Sequence, residues 1–326
     1  VTLADVAARA GVSRSAVSRT FTEGASVAAA TRARVLKAAE ALGYRPNRLA
    51  SSLTTRRTGL VGLVVDNFRN PVFMTVFDGF TRLLQDRGYR PLLVNLSGET
   101  RAEASLALLQ DYSVEGVIVA SSTLPGDFAE AFHAAGLPVV HCFGRQAPDP
   151  ALPVVGVDNI ACGRLAAETL LARGYRRIGF LGGPRGATST GDRLSGFLAG
   201  LGPLHPGISF AEAYSHEAGQ TEMGRIIRAG DLAEAYFCGD DQLAIGALDA
   251  LREAGLSVPG DVGILGMNDM AMAGWGAIAL STIRQPFPRI IAESVDRLLS
   301  RIETGVDPAS CTLQAELVLR GTLRPL

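Results

Sequence analysis

The chain has 326 residues, 47% of them hydrophobic and 19% charged. That is apolar enough to bury a large core, which excludes a disordered chain, and no apolar run reaches the roughly 18 residues of a membrane span. The net charge of −1 hides an asymmetry: residues 1–57 carry ten basic side chains against three acidic ones, ahead of an acidic body. Such a basic head calls for a polyanionic partner.

The opening Val1-Thr2-Leu3-Ala4-Asp5 lacks the basic-then-apolar layout of a signal peptide. With no initiator methionine, a few residues are expected to precede it. Thr2 and Asp5 form a capping box, which starts a short helix with Leu3, Val6, Ala7 and Ala10 on one face. Gly11 stops it. Ser13 caps a second helix, Arg14 to about Arg19, whose inner face is Ala16 and Val17. Two short helices joined at a glycine read as a helix-turn-helix. A third helix, about Thr31 to Leu42, turns Val35, Leu36, Ala39 and Leu42 inward and stops at Gly43. In this arrangement the second helix enters the DNA major groove. Arg14 and Ser15 stand at its start, and an arginine can pair bidentately with guanine. Ser18 and Arg19 follow, suited to phosphate or base; otherwise such exposed groups serve solubility alone. Thr2 and Ser13 complete the candidate DNA contacts of the head.

Residues 46–58 read as a hinge and linker: Pro46 can open a helix, and the basic 54–57 stretch marks a boundary. From Gly59 the pattern becomes strand, helix, strand, helix, in two successive series. Apolar strands alternating with helices give parallel sheets covered on both faces, hence two Rossmann-like lobes. Ligands bind beyond the carboxyl ends of such strands. The loops there carry Phe68, Asn70, Phe73 and Met74, then Ser189, Arg193 and Tyr214, then Asp240, Asn268, Gln285 and Phe287. Together they suit a small polar molecule. Asp241 caps the following helix or reads the ligand; Phe73 and Phe287 serve the ligand or the core. Arg193, the strongest ligand candidate, grips paired oxygens or makes an ion pair with a neighbour such as Glu212.

Taken together, Leu3-Ala4-Asp5-Val6-Ala7, Ala10-Gly11-Val12-Ser13, Val17-Ser18-Arg19 and Leu42-Gly43-Tyr44-Arg45-Pro46-Asn47 resemble the lactose-repressor/galactose-repressor (LacI/GalR) family. The body agrees at Asn70-Pro71-Val72-Phe73, Asp192-Arg193-Leu194-Ser195-Gly196-Phe197, Gly239-Asp240-Asp241, Gly266-Met267-Asn268-Asp269 and Leu280 to Pro286. The resemblance implies an all-α helix-turn-helix head (1–45), a hinge helix formed on DNA (46–58), and a periplasmic-binding-protein-like body (59–326). The first lobe then takes about 59–156 and 286–311, the second about 157–285 and 312–326. It implies operator reading by Arg14, Ser15 and Arg19. It also implies a minor-groove wedge at Leu53 flanked by Asn47 and Ala50, where residue types alone allow a packed linker leucine.

The implied function is a ligand-responsive DNA-binding regulator, a repressor acting as a homodimer on operator DNA in the cytoplasm, with a sugar-like effector. No leucine heptads follow Leu323, so a dimer and not a tetramer is expected. Three departures stand out: Ser15-Ala16 where the family often has Ala-Thr, Ala28-Ala29-Ala30 where the family caps its third helix, and a carboxylate at Asp240 with an amide at Asn268 where the family has the reverse. That exchange either sets specificity or is drift between near-isosteric groups. No cofactor, metal or catalytic residue is expected. Cys142, Cys162, Cys238 and Cys311 form no Cys-x-x-Cys pair, and no Gly-x-Ser-x-Gly, His-Glu-x-x-His or Walker sequence occurs. An enzyme is therefore disfavoured. A transporter's solute-binding protein would share the two lobes but carry no helix-turn-helix.

Overall fold

The computed structural model describes residues 1–22, 24–45, 57–65, 67–68, 70–96, 102–122, 124, 126–145 and 152–326. The chain divides into two compact units, Val1–Thr58 and Gly59–Leu326. The hinge candidates Asn47, Ala50 and Leu53 lie outside the described residues.

In the first unit, α1 (Leu3–Ala10) opens on the expected capping box. Thr2 N donates to Asp5 Oδ2 at 2.7 Å, and Asp5 N donates to Thr2 Oγ1 at 3.4 Å. Gly11 ends the helix at φ 61°, a left-handed turn that glycine adopts without steric penalty. Helix α2 (Arg14–Phe21) starts at Ser13, whose Oγ accepts from Ala16 N at 3.2 Å. Helix α3 (Ala29–Leu42) has no side-chain cap at Ala28, as its three alanines foretold. Val6, Val17, Val35, Ala38 and Ala39 close the small core. The sequence reading placed Leu36 there, but it is 46% exposed. A 3.6-residue period carries the inward stripe from Val35 to Ala38, Ala39 and Leu42, and Leu36 falls about 100° off it.

The second unit begins with β1 (Leu60–Val65), α4 (Val72–Asp86), β2 (Arg90–Asn95), α5 (Ala102–Asp111), β3 (Gly116–Ala120), α6 (Gly126–Ala134), β4 (Val139–Cys142) and β5 (Val154–Val157). The chain then crosses to a second sheet through α7 (Asn159–Ala172), β6 (Ile178–Gly182), α8 (Thr188–Leu201), β7 (Gly207–Phe210), α9 (His216–Ala229), β8 (Ala235–Cys238), α10 (Asp241–Glu253), β9 (Gly263–Asn268) and β10 (Ser281–Arg284). Helix α11 (Phe287–Thr304) returns to the first sheet and leads to β11 (Cys311–Leu313), and β12 (Glu316–Val318) ends on the second. The sheet orders are β11-β5-β4-β3-β1-β2 and β12-β10-β9-β8-β6-β7. All pairings are parallel except β10 with the short edge strand β12. Strand β7 lies at a sheet edge with its first two residues exposed. Ser215 caps α9, its Oγ accepting from Ala218 N.

One packing feature fixes the second lobe's cleft wall. Phe180, Phe197 and Phe237 meet with centroids 5.5–5.8 Å apart and anchor α8 to the sheet. Helix α8 also meets α7 backbone to backbone: a Cβ at Gly196 would fall on the Ile160 carbonyl oxygen, and one at Gly163 on that of Arg193. Gly196→Ala is therefore expected to destabilise the protein by about 3 kcal/mol, since neither backbone can retreat from the methyl group. Urea unfolding checks this; a midpoint like wild type would contradict the close approach.

Candidate functional site

The two lobes of the second unit flank a cleft at the carboxyl ends of their strands. Its centre is Asp240, which follows β8 and is 3% exposed. Its Oδ1 accepts from Gln242 N at 2.6 Å and so caps α10. Its Oδ2 accepts from Asn70 Nδ2 at 3.0 Å, across the cleft from the first lobe, and from Asn268 Nδ2 at 2.7 Å within the second. Asn268 Oδ1 in turn accepts from Gln285 Nε2 at 2.6 Å. Asn70 is itself held by Val72 N, which donates to its Oδ1 at 3.1 Å. Burial pushes the Asp240 carboxyl above its ordinary pKa, while these donors and the nearby Arg193 charge pull the other way.

Asp241 does not cap α10, as one sequence reading had it; Asp240 does. Asp241 is fully buried, accepting from Met270 N and Thr282 Oγ1, both at 2.7 Å. It thereby ties α10 to the loop after β9 and to β10. Arg193 is 4% exposed. Its Nε donates to Asn159 Oδ1 at 2.8 Å and its Nη1 to the Gly239 carbonyl at 2.5 Å, so its partners are neutral oxygens and not Glu212. Tyr214 Oη lies 2.6 Å from Thr190 Oγ1 and 3.3 Å from Ser189 Oγ.

Of the eleven residues the sequence reading named for the ligand, Asn70, Phe73, Arg193, Tyr214, Asp240, Asn268, Gln285 and Phe287 line this cavity together. Phe68 instead stacks on Phe77 at 4.8 Å, Met74 is 60% exposed, and Ser189 sits behind Tyr214. The reading did not name Asn67, Val72, Val76, Ser122, Phe143, Val157 and Asn159, which also line it. Ser122, Phe143 and Asn159 follow the carboxyl ends of β3, β4 and β5. The same strand-end rule that pointed to the other loops applies to these three.

Further bonds join the lobes beside the cavity. Thr188 Oγ1 and Ser189 N donate to the Ser122 carbonyl at 3.0 and 3.3 Å, and Arg145 grips Asp192 at 3.0 and 2.6 Å. His141 is buried in β4, where burial lowers its pKa to about 4 and keeps the ring neutral against the Ser121 carbonyl. Burial pushes the Cys142 and Cys162 thiols up to about 12 and about 11, which suits inert core residues. Among the described residues no group of His, Cys, Asp and Glu could hold a metal ion, and no helix is long and apolar enough to cross a membrane.

On the head, Arg14, Ser15, Ser18 and Arg19 are exposed on α2. Thr2 and Ser13 are engaged as caps, and Ser13 Oγ also lies 2.9 Å from Ser15 Oγ.

Residues 2–47 match the family model described as bacterial regulatory proteins, lacI family, and residues 167–323 that of a periplasmic binding protein-like domain. The chain is 31% identical to the HTH-type transcriptional regulator CelR of Thermobifida fusca, over 98% of this chain and 97% of CelR. It superposes on a lac repressor dimer bound to operator and the anti-inducer ONPF with a TM-score of 0.90, at 28% identity over 100% and 99% of the two chains. A CelR–cellobiose complex gives a TM-score of 0.74, at 29% identity over 99% of each chain.

The buried carboxyls generate a pH prediction. Burial, then the neighbouring Asp240 charge, raises the Asp241 pKa well above its ordinary value. In the folded state Asp241 therefore holds a proton that the unfolded chain has released. Its contribution is complete below the ordinary carboxylate value and is lost as pH rises through the raised folded-state value. Urea unfolding between about pH 5 and pH 8 should show stability declining with pH, and Asp241→Asn should flatten that decline. An unchanged slope in the variant would remove Asp241 as its source.

Proposed function

The chain belongs to the lacI family of bacterial regulatory proteins, and from that premise we propose how its two units divide the work of a ligand-responsive transcription regulator. The head, residues 1–45, reads operator DNA; residues 46–58 are the hinge; residues 59–326 bind the effector and pair two copies of the chain. The regulator acts as a repressor. Its operator affinity changes when a small polar metabolite, a sugar or a related molecule, binds between the lobes. The relatives are transcription regulators and not enzymes.

The observation that carries this reading is the Asn70–Asp240–Asn268 junction inside the cavity. The ligand-reading groups are the same groups that bond one lobe to the other. A molecule entering there must alter the junction, so occupancy and lobe arrangement are one equilibrium. An effector acts only through such differential binding to two arrangements. Arg193 supplies the fixed cation of the site.

At the DNA, Arg14 and Ser15 read base edges near the start of α2, and Ser18 and Arg19 add base or phosphate contacts. Thr2 and Ser13 hold the two helix starts against the backbone of the duplex. Leu53 wedges into the minor groove, flanked by Asn47 and Ala50. Two-fold pairing presents two heads to a two-fold site.

Fluorescence anisotropy with a selected operator tests both halves. Arg14→Ala is expected to weaken operator binding by about 1–3 kcal/mol and to relax preference at one base pair per half-site. Arg193→Ala should leave operator binding in place and abolish its response to the effector. If Arg14→Ala keeps full preference at every operator position, the recognition assignment is wrong. If Arg193→Ala still responds to the effector, the effector does not bind in this cavity.

A further inference from the structure

Helix α2 has eight residues, so it is about 12 Å long at the usual helical rise. The hold on it is small: Val17 and Thr20 are its buried residues, and Phe21 meets the Tyr44 ring at 5.8 Å. Its start is fixed by the Gly11 turn and the Ser13 cap. Its end is where carbonyls lack donors within the helix. Thr22 answers two of them, its N donating to the Arg19 carbonyl at 3.3 Å and its Oγ1 to that of Ser18 at 3.0 Å. These bonds stay within one local stretch of chain and leave the tilt of α2 against α3 open.

The Thr20 carbonyl is bonded differently. It accepts from Arg32 Nη1 at 2.8 Å, and Arg32 Nη2 donates to the Ala25 carbonyl at 3.5 Å, in the turn between the helices. Arg32 stands on the first turn of α3, where its backbone N donates to the Ala28 carbonyl at 3.0 Å and opens the ladder of that helix. One residue thus starts α3 with its backbone and ends α2 with its side chain. A cation is disfavoured near the N-terminus of its own helix and favoured at the C-terminus of another. The guanidinium reaches from the first place to the second. Arg32 is half-buried, unlike Arg14, Ser15, Ser18 and Arg19, which are exposed on α2.

A bidentate pair with a base edge demands a fixed position, whereas phosphate contacts carry no sequence information. We propose that Arg32 is a positioning residue for operator reading. Its guanidinium fixes the tilt of α2 from α3 and so sets where Arg14 and Ser15 meet the bases, while touching no base itself. This rests on α2 being the helix that reads the operator.

Fluorescence anisotropy on the full-length protein tests it, with an operator selected by the wild type and an unrelated duplex. The readout is the ratio of the two affinities within each variant. Arg32→Met keeps much of the stem and loses the donors; it is expected to lower the ratio about tenfold or more. Arg32→Lys keeps the charge without the planar fork; it should lower the ratio about threefold or more and leave affinity for the unrelated duplex within about twofold of wild type. The lost preference should spread over every base pair that α2 reads, unlike the single position expected of Arg14→Ala.

The uncapped start of α3 separates position from stability. Ala28 is exposed, with φ −55° and ψ 136° and no side-chain cap bond. Ala28→Ser, placed in the wild type and in both Arg32 variants, is expected to slow hydrogen exchange of the head amides by capping α3, and to leave each ratio as it was. Recovery of the ratio by Ala28→Ser would overturn the proposal, because Arg32 would then serve stability alone. Full preference in Arg32→Met, or a loss confined to one base pair per half-site, would overturn it as well. If Arg14→Ala relaxes preference and the Arg32 variants do not, only this inference fails. If Arg14→Ala also keeps full preference, α2 does not read the operator and the underlying reading fails.

Discussion

A carboxylate removed from water must be surrounded by donors, and Asp240 takes its donors from three places. One is the first turn of its own helix, one is Asn268 at the end of the neighbouring strand, and one is Asn70 from the opposite lobe. The fold supplies all three because parallel strands deliver their loops to one edge of each sheet. The cleft follows from the two sheets facing each other along those edges. The buried charge then makes the loops interdependent: a shift of Asn70 leaves Asp240 short of a donor, and a shift of Asp240 uncaps α10.

Arg193 is held by a separate route. Helix α8 is pinned by the phenylalanine cluster under it and by glycine contacts with α7 beside it. Its guanidinium spans from Asn159, at the start of α7, to the Gly239 carbonyl just before Asp240. The cation and the anion of the cavity therefore sit on adjoining parts of one rigid lobe. The hydrogen bonds Asn70–Asp240 and Thr188–Ser122, and the ion pair Arg145–Asp192, cross to the other lobe. The Thr188–Ser122 and Arg145–Asp192 bonds are exposed at least in part and are individually modest. They suit lobes that must exchange arrangements, whereas the apolar strands and glycine-packed helices hold each lobe in shape.

Much of this was legible in the sequence because it depends on local rules. The Thr2–Asp5 box, the Gly11 stop and the Ser13 cap concern residues a few positions apart, and the structure has all three. The strand-end rule and the family motifs picked out Asn70, Arg193, Asp240 and Asn268 before any geometry was known, and these meet in one cavity. What escaped depends on partners distant in the chain. Asp240 and Asp241 are adjacent carboxylates at a helix start, and only Met270 and Thr282, brought in by the sheet, decide which one caps and which one cross-links. Leu36 reads as core until the shared face of three helices selects Ala38. Strand β7 lies at a sheet edge with little of the apolar pattern that marks a buried strand. Phe143 meets Phe73 and Phe287, and its φ of 66° falls at a position with no glycine or asparagine to announce it.

The exchange of carboxylate and amide between positions 240 and 268 brings these strands together. In the structure the two side chains are direct partners, so what matters is that one is charged and the other donates. A double-mutant cycle by urea unfolding measures this. Asn268→Asp in the wild-type background sets two carboxylates against each other and is expected to cost about 2–3 kcal/mol. In the Asp240→Asn background the same change restores a carboxylate–amide pair and should cost little, giving a coupling of about 1–3 kcal/mol. Equal costs in both backgrounds would contradict the account.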